Sequence, residues 1–131
     1  MPKYNLHYFL KKEFSFVLIK NNKIICKSKS QGLKPLVFCF KKRKKEMRGA
    51  IVYDKVIGLA AAMLLEYSNV TEVWTPIISR AAKKYLCQKK VKLIYKKEVK
   101  DILNKEKNNL CGMEKLAANE GLAGLRSFFN F

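Results

Sequence analysis

Acidic residues are scarce in this chain: 10 Asp and Glu stand against 28 Lys and Arg, a formal net charge of +18. Arginine is scarce as well, confined to Arg43, Arg48, Arg80 and Arg126, and the only histidine is His7. The shortage of arginine weakens the obvious inference from the charge, because recognition of phosphates and base edges favours the bidentate guanidinium over a lysine ammonium. No C-x-x-C occurs; Cys26, Cys39, Cys87 and Cys111 are widely and irregularly spaced. That spacing argues against a disulfide framework and predicts reduced thiols. The longest uncharged hydrophobic stretch, Val56 to Leu65, falls well short of the ~20 residues needed to cross a bilayer. The N-terminus alternates Lys with aromatics and has no apolar core of signal-peptide type, so no membrane partner is expected and the expected location is cytoplasmic. Neither a repeat nor a Pro/Gly/Ser-rich linker interrupts the chain, and residues 1–131 are expected to form one domain.

What the chain has in abundance is lysine. Runs such as Lys41-Lys42-Arg43-Lys44-Lys45 look like an electrostatic footprint for nucleic acid. The joint excess of Lys, Asn, Ile, Phe and Tyr is also what codon drift in an AT-rich genome produces, and a charge run is more often a solvated face. Between Gly49 and Ser79 the only basic residue is Lys55. The basic blocks therefore flank the segment expected to carry function.

That segment is Gly49 to Tyr67. Ala50-Ile51-Val52-Tyr53 is a short apolar, β-branched run, predicting a buried strand. Asp54 is placed to cap the helix that follows, with Gly58 in its first turn and Ala60-Ala61-Ala62 behind it. One face of that helix lacks bulk, so a ligand phosphate, the sheet or a second subunit approaches closely there; tight packing is the commonest reason for a glycine inside a helix. A strand ending in a helix N-terminus is also where open α/β sheets bind anions.

In chain order, Tyr4–Lys12 is expected as a short helix. Phe14–Lys20 and Lys23–Ser28 are expected as a hairpin turning at Asn21-Asn22, whose tolerance of positive φ suits a two-residue turn. A helix opens near Gly32-Leu33-Lys34-Pro35 and runs to about Met47, with Pro35 in its first turn. Thr71–Ile78 is a second buried strand, ended by Ser79 as the cap of a helix from Arg80 to Gln88. Val91–Tyr95 is the last strand. Helices follow at Glu98–Lys105 and from Gly112 onward, separated by a polar turn at Lys107-Asn108-Asn109, with Gly121 and Gly124 breaking or ending the last one. A hairpin followed by alternating helices and strands predicts a mixed five-stranded sheet, antiparallel at one side and parallel at the other, in a three-layer α/β/α arrangement.

Four segments together resemble an uncharacterised prokaryotic domain-of-unknown-function family with a cytidine-deaminase-like fold. They are Gly32-Leu33-Lys34-Pro35, Asp54-Lys55-Val56-Ile57-Gly58 with Ala60-Ala61-Ala62-Met63-Leu64, Ile78-Ser79, and Leu110-Cys111-Gly112-Met113-Glu114. The family usually has Pro after this last cysteine and Thr-Gly before its Leu-Cys, where this chain has Gly112 and Asn108-Asn109. The resemblance implies a pocket between helix N-termini and, because such folds commonly associate through helices flanking the pocket, a homodimer. It does not carry zinc chemistry: the His/Cys-x-Glu and Pro-Cys-x-x-Cys sets that hold the metal in true deaminases are missing, and His7 lies far away in sequence. No metal or cofactor is expected.

The reading that follows is a zinc-free protein binding a nucleotide or related phosphorylated ligand at the Asp54 strand-helix turn, through Lys34, Asp54, Lys55, Gly58 and Cys111. Asp54 and Cys111 are the candidates for catalysis, Cys111 because a thiol at a helix N-terminus among lysines loses part of its pKa; a buried structural cysteine is the plainer alternative. Whether anything is turned over is left open. Glu114 is read as a favourable charge in a first helical turn. The competing reading is a nucleic-acid-associated protein using its lysine surface.

Overall fold

The computed structural model describes residues 3–103 and 111–131. The expected turn at Lys107–Asn109 lies outside the described residues.

The hairpin is β1 (Phe16–Lys20) and β2 (Lys23–Ser28), paired antiparallel. Its turn residues Asn21 and Asn22 have φ of 52° and 63°, the two positive values that match the twist of the flanking strands. Before it, α1 (Leu6–Leu10) is capped by Asn5, whose side chain accepts the Tyr8 N–H at 2.8 Å. After it, the single helix expected to Met47 is split into α2 (Lys34–Lys42) and α3 (Lys44–Met47) at Arg43, where φ is −133° and ψ 35°.

The central strand runs further than the sequence suggested. It comprises β3 (Ile51–Asp54) and β4 (Val56–Ile57), and both pair parallel with β5 (Glu72–Ser79) at one constant register. That register sets Lys55 opposite Pro76. Proline has no N–H to give to the ladder, so the pairing with β5 is interrupted there, while on the other side the Lys55 N–H continues the β1 ladder by donating to Ser15 O at 2.8 Å. The five expected strands thereby become six, in a mixed sheet where β1 pairs antiparallel with β3 and β6 (Lys92–Val99) pairs parallel with β5. Residues 98 and 99, expected to open a helix, belong to β6.

Helix α4 (Leu59–Tyr67) starts after the strand extension, with Gly58 as its N-cap residue. Asp54 is therefore not its cap, and Gly58 is not in its first turn. Helix α5 (Arg80–Gln88) is capped as expected, Ser79 Oγ accepting the Ala82 N–H at 3.2 Å. The last helix, α6 (Gly112–Phe129), kinks at Gly121, whose φ of 65° and ψ of −158° a side chain would oppose.

Two apolar clusters lie on the two faces of the sheet. One joins Phe16, Leu18, Val52, Val73 and Ile78 to α2, α4, α5 and α6. The other joins Val17, Ile19, Tyr53 and Trp74 to Tyr4 and Phe9 of the α1 segment. Helix α4 is apolar nearly all round because it is packed on several sides, by α2, α5 and α6. No described helix is long and apolar enough to cross a membrane.

Candidate functional site

The register across the sheet places Ser28, Phe16 and Asp54 side by side on β2, β1 and β3. Residues directly opposite in a sheet share a face, so the Asp54 carboxyl shares the helix-covered side with Phe16. It is buried, beside the backbone N–H groups of Val56 and Lys55. Burial raises its pKa well above the ordinary 3.8, against the neighbouring backbone N–H groups, which act to lower it. Lys55 itself is exposed.

The α4 N-terminus is filled by the protein itself. Glu114, from the first turn of α6, accepts the N–H of Leu59 through Oε1 at 2.7 Å and that of Ala60 through Oε2 at 2.9 Å. It is a carboxylate placed where free N–H groups and the helix dipole favour negative charge, supplied from a distant part of the chain. Gly58 is what admits it, since a Cβ there would overlap the Glu114 carboxyl group. The close approach foreseen at the small-residue segment is thus an internal carboxylate and packed helices, with Ala60, Ala61 and Ala62 all buried.

Cys111 is the N-cap residue of α6, with its side chain making no capping bond. Its N–H donates to Ile102 O at 3.0 Å, and its carbonyl accepts from Glu114 and Lys115 at 2.9 and 3.1 Å. Gly58 and the Cys111-to-Glu114 turn are therefore brought together, with Glu114 as the bridge. His7 sits on α1, across the sheet from α6.

Lys34 is elsewhere on the helix-covered side. It opens α2, which has no side-chain cap, and it lines a cavity of about 330 Å³ between β2 and α2. Phe16, Ser28, Ser30 and Phe38 line the same cavity, and Phe38 is 60% exposed. Asp54 stands next to this wall through its pairing with Phe16 but does not line it. The serines are ordered: Ser28 Oγ accepts the Ser30 N–H at 3.0 Å, and Ser15 Oγ donates to Ser30 O. Two neighbouring thiols complete the wall, Cys26 and Cys39, which belong to the same packed cluster.

A second hollow, about 260 Å³, lies by the hairpin turn and is lined by none of the candidate ligand-binding residues. Its one lysine, Lys20, already donates to Arg48 O at 2.8 Å. Among the described residues no three of His, Cys, Asp and Glu gather as metal ligands.

Glu114 as a remote cap, the Ser28/Ser30/Phe38 wall and the paired thiols were not read from the sequence. The first had a signal in the glycine at the head of an alanine-rich helix. The thiol pair had none, because a bulge decides it: Leu18 pairs with Cys26 and Ile19 with Ile24, leaving Ile25 as an extra residue. Strict alternation would put Cys26 on the face of Ile24, whereas it packs with the opposite cluster.

The fold and the site define a mixed α/β protein with a six-stranded open sheet and helices packed on both of its faces. Residues 5–121 match the family described as a domain of unknown function, DUF1893, and the chain belongs to that family. A comparison with curated proteins finds no match. Among solved structures it is similar to a DUF1893 family protein from Thermotoga maritima, at 28% identity and a TM-score of 0.83, over 95% of this chain and 85% of that one.

Proposed function

We propose that this protein binds a small phosphorylated ligand with a flat ring, of nucleotide type, in the cavity between β2 and α2. The carrying observation is the composition of that wall: the Lys34 ammonium and two serines beside an exposed phenylalanine ring. A cation with hydroxyl donors suits a phosphate, and an exposed ring suits stacking of a base. This moves the ligand away from the α4 N-terminus, where Glu114 already takes the Leu59 and Ala60 N–H groups. Lys34 is then the ligand contact, while Asp54, Gly58 and Glu114 hold the neighbouring backbone.

Isothermal titration of the full chain with ATP, AMP and inorganic phosphate tests this, comparing wild type with Lys34→Ala, Phe38→Ala and the paired control Lys41→Ala/Lys42→Ala. Lys34→Ala is expected to weaken nucleotide binding by roughly tenfold, the scale of one charge-assisted contact. Phe38→Ala should weaken nucleotide but not inorganic phosphate, and the control should bind as wild type does. Equal losses in all three variants, with affinity for RNA and DNA falling steeply with salt, would replace this reading with a polyanion-binding lysine surface.

A further inference from the structure

Two of the four cysteines face each other across an element boundary. Cys26 is half-buried on β2 and borders the cavity; Cys39 on α2 is 1% exposed. The bulge at Ile25 turns Cys26 toward α2, so the two thiols are neighbours lining one cavity and packed in one cluster. A pair of neighbouring thiols, one of them reachable from an open cavity, is the arrangement that thiol oxidation requires.

We propose that Cys26 and Cys39 form a reversible dithiol–disulfide site, in which Cys26 meets a peroxide and Cys39 resolves it. In the first step the Cys26 thiolate attacks one peroxide oxygen. The O–O bond breaks, and hydroxide leaves as water with the proton given up by Cys26, giving a sulfenic acid. In the second step the Cys39 sulfur attacks the Cys26 sulfur. An S–S bond forms, the S–O bond breaks, and hydroxide leaves as water with the Cys39 proton. Two thiols lose two electrons in all, and one peroxide becomes two waters. A small dithiol reductant reverses the bond by exchange. The order of events follows burial. Cys39 is shut away from solvent, and its thiol is held protonated, first by that burial and then by Cys26, so it serves as the resolving partner rather than the first to react. The disulfide ties the edge strand β2 to α2, and the inference holds whether or not the cavity takes a ligand.

The test is to treat the full reduced chain with hydrogen peroxide, block free thiols with iodoacetamide under denaturing conditions, and map the cysteines by peptide mass spectrometry. Expected is a peptide pair joined through Cys26 and Cys39, lighter by two hydrogens and released by dithiothreitol, with alkylation falling from four cysteines to Cys87 and Cys111. Dimedone should trap Cys26 as sulfenic acid in Cys39→Ser but hardly in wild type. Because Cys39→Ser places a hydroxyl in the core, Cys26→Ser serves as the second variant, and there Cys39 should stay alkylatable after peroxide. Oxidation of Cys26 to sulfinic acid with Cys39 still free, equal dimedone trapping in wild type and Cys39→Ser, or disulfides only between chains would each overturn the proposal.

Discussion

At Gly58 the missing side chain lets a carboxylate reach two N–H groups that otherwise have no partner within the helix. Gly58→Ala sets a Cβ against the Glu114 carboxyl group and expels it, stranding the Leu59 and Ala60 donors. The expected loss is about 2 kcal/mol or more, because charge-assisted bonds to buried donors are broken. Glu114→Ala breaks the same bonds from the other side. The double variant should therefore cost less than the sum of the two, by about 1 kcal/mol or more, and urea denaturation of the four proteins measures it; additive losses would show that the two residues act separately. Asp54 gives a pH signature. Its folded pKa is raised by burial above the ordinary 3.8, so the unfolded chain ionises first and holds fewer protons. The group's contribution is fully present below its ordinary pKa and is lost as pH rises toward the raised folded value. Asp54→Asn keeps an oxygen at that buried position without the charge. It should be at least as stable as wild type at pH 7 and lose less stability between pH 4 and pH 7, read from urea midpoints at each pH.

One short helix carries more than its length suggests. A five-residue helix has no independent stability, and α1 persists because Phe9, fully buried, lies against Tyr4, Tyr53 and Trp74 with ring centroids 5.3 to 6.3 Å apart. Phe9→Ala should cost about 3–5 kcal/mol and red-shift the fluorescence of Trp74, the only tryptophan, as water reaches that face. Unchanged emission would mean that α1 does not shield the sheet. The elements that were legible are those whose instructions are local. Asn21-Asn22 dictates its own turn, and Ser79 caps its own helix. The start of α4 was misplaced because its instructions are not local: Val56 and Ile57 extend the strand, and the cap comes from Glu114 on another helix. The break at Lys55 likewise depends on Pro76, a neighbour only once the sheet has formed. For the candidate site, the sequence names Lys34, Gly58 and the Cys111 segment only one by one. Which of them meet was not legible, since Lys34 stands at one helix N-terminus while Gly58 and Glu114 meet at another.

Across the whole molecule the lysines do work that needs no partner. Several lay their ammonium over aromatic rings: Lys12 over Tyr8, Lys27 over Phe14, Lys44 over Phe40 and Lys83 over Tyr95, at 4.8 to 5.2 Å from the ring centroids. Such side chains cover apolar surface with their stems while keeping the charge in water. The edge strands β2 and β6 carry Lys23 and Lys27, and Lys92, Lys96 and Lys97, which discourages edge-to-edge pairing between copies. Compensation is thin. Ion pairs such as Lys29–Glu13 and Arg43–Glu46, both at 3.6 Å, join exposed or half-exposed side chains and contribute little. Folding therefore draws a net +18 together, and the unfolded chain relieves that repulsion by expanding. Raising salt from about 0.01 M to about 0.1 M shortens the Debye length from ~30 Å to ~10 Å, which screens repulsion among spread charges more than contact pairs. Stability in urea, a denaturant without charge, should therefore rise over that range, by on the order of 1 kcal/mol. A fall would mean that the ion pairs outweigh the net charge, and that the lysine excess is compensated locally after all.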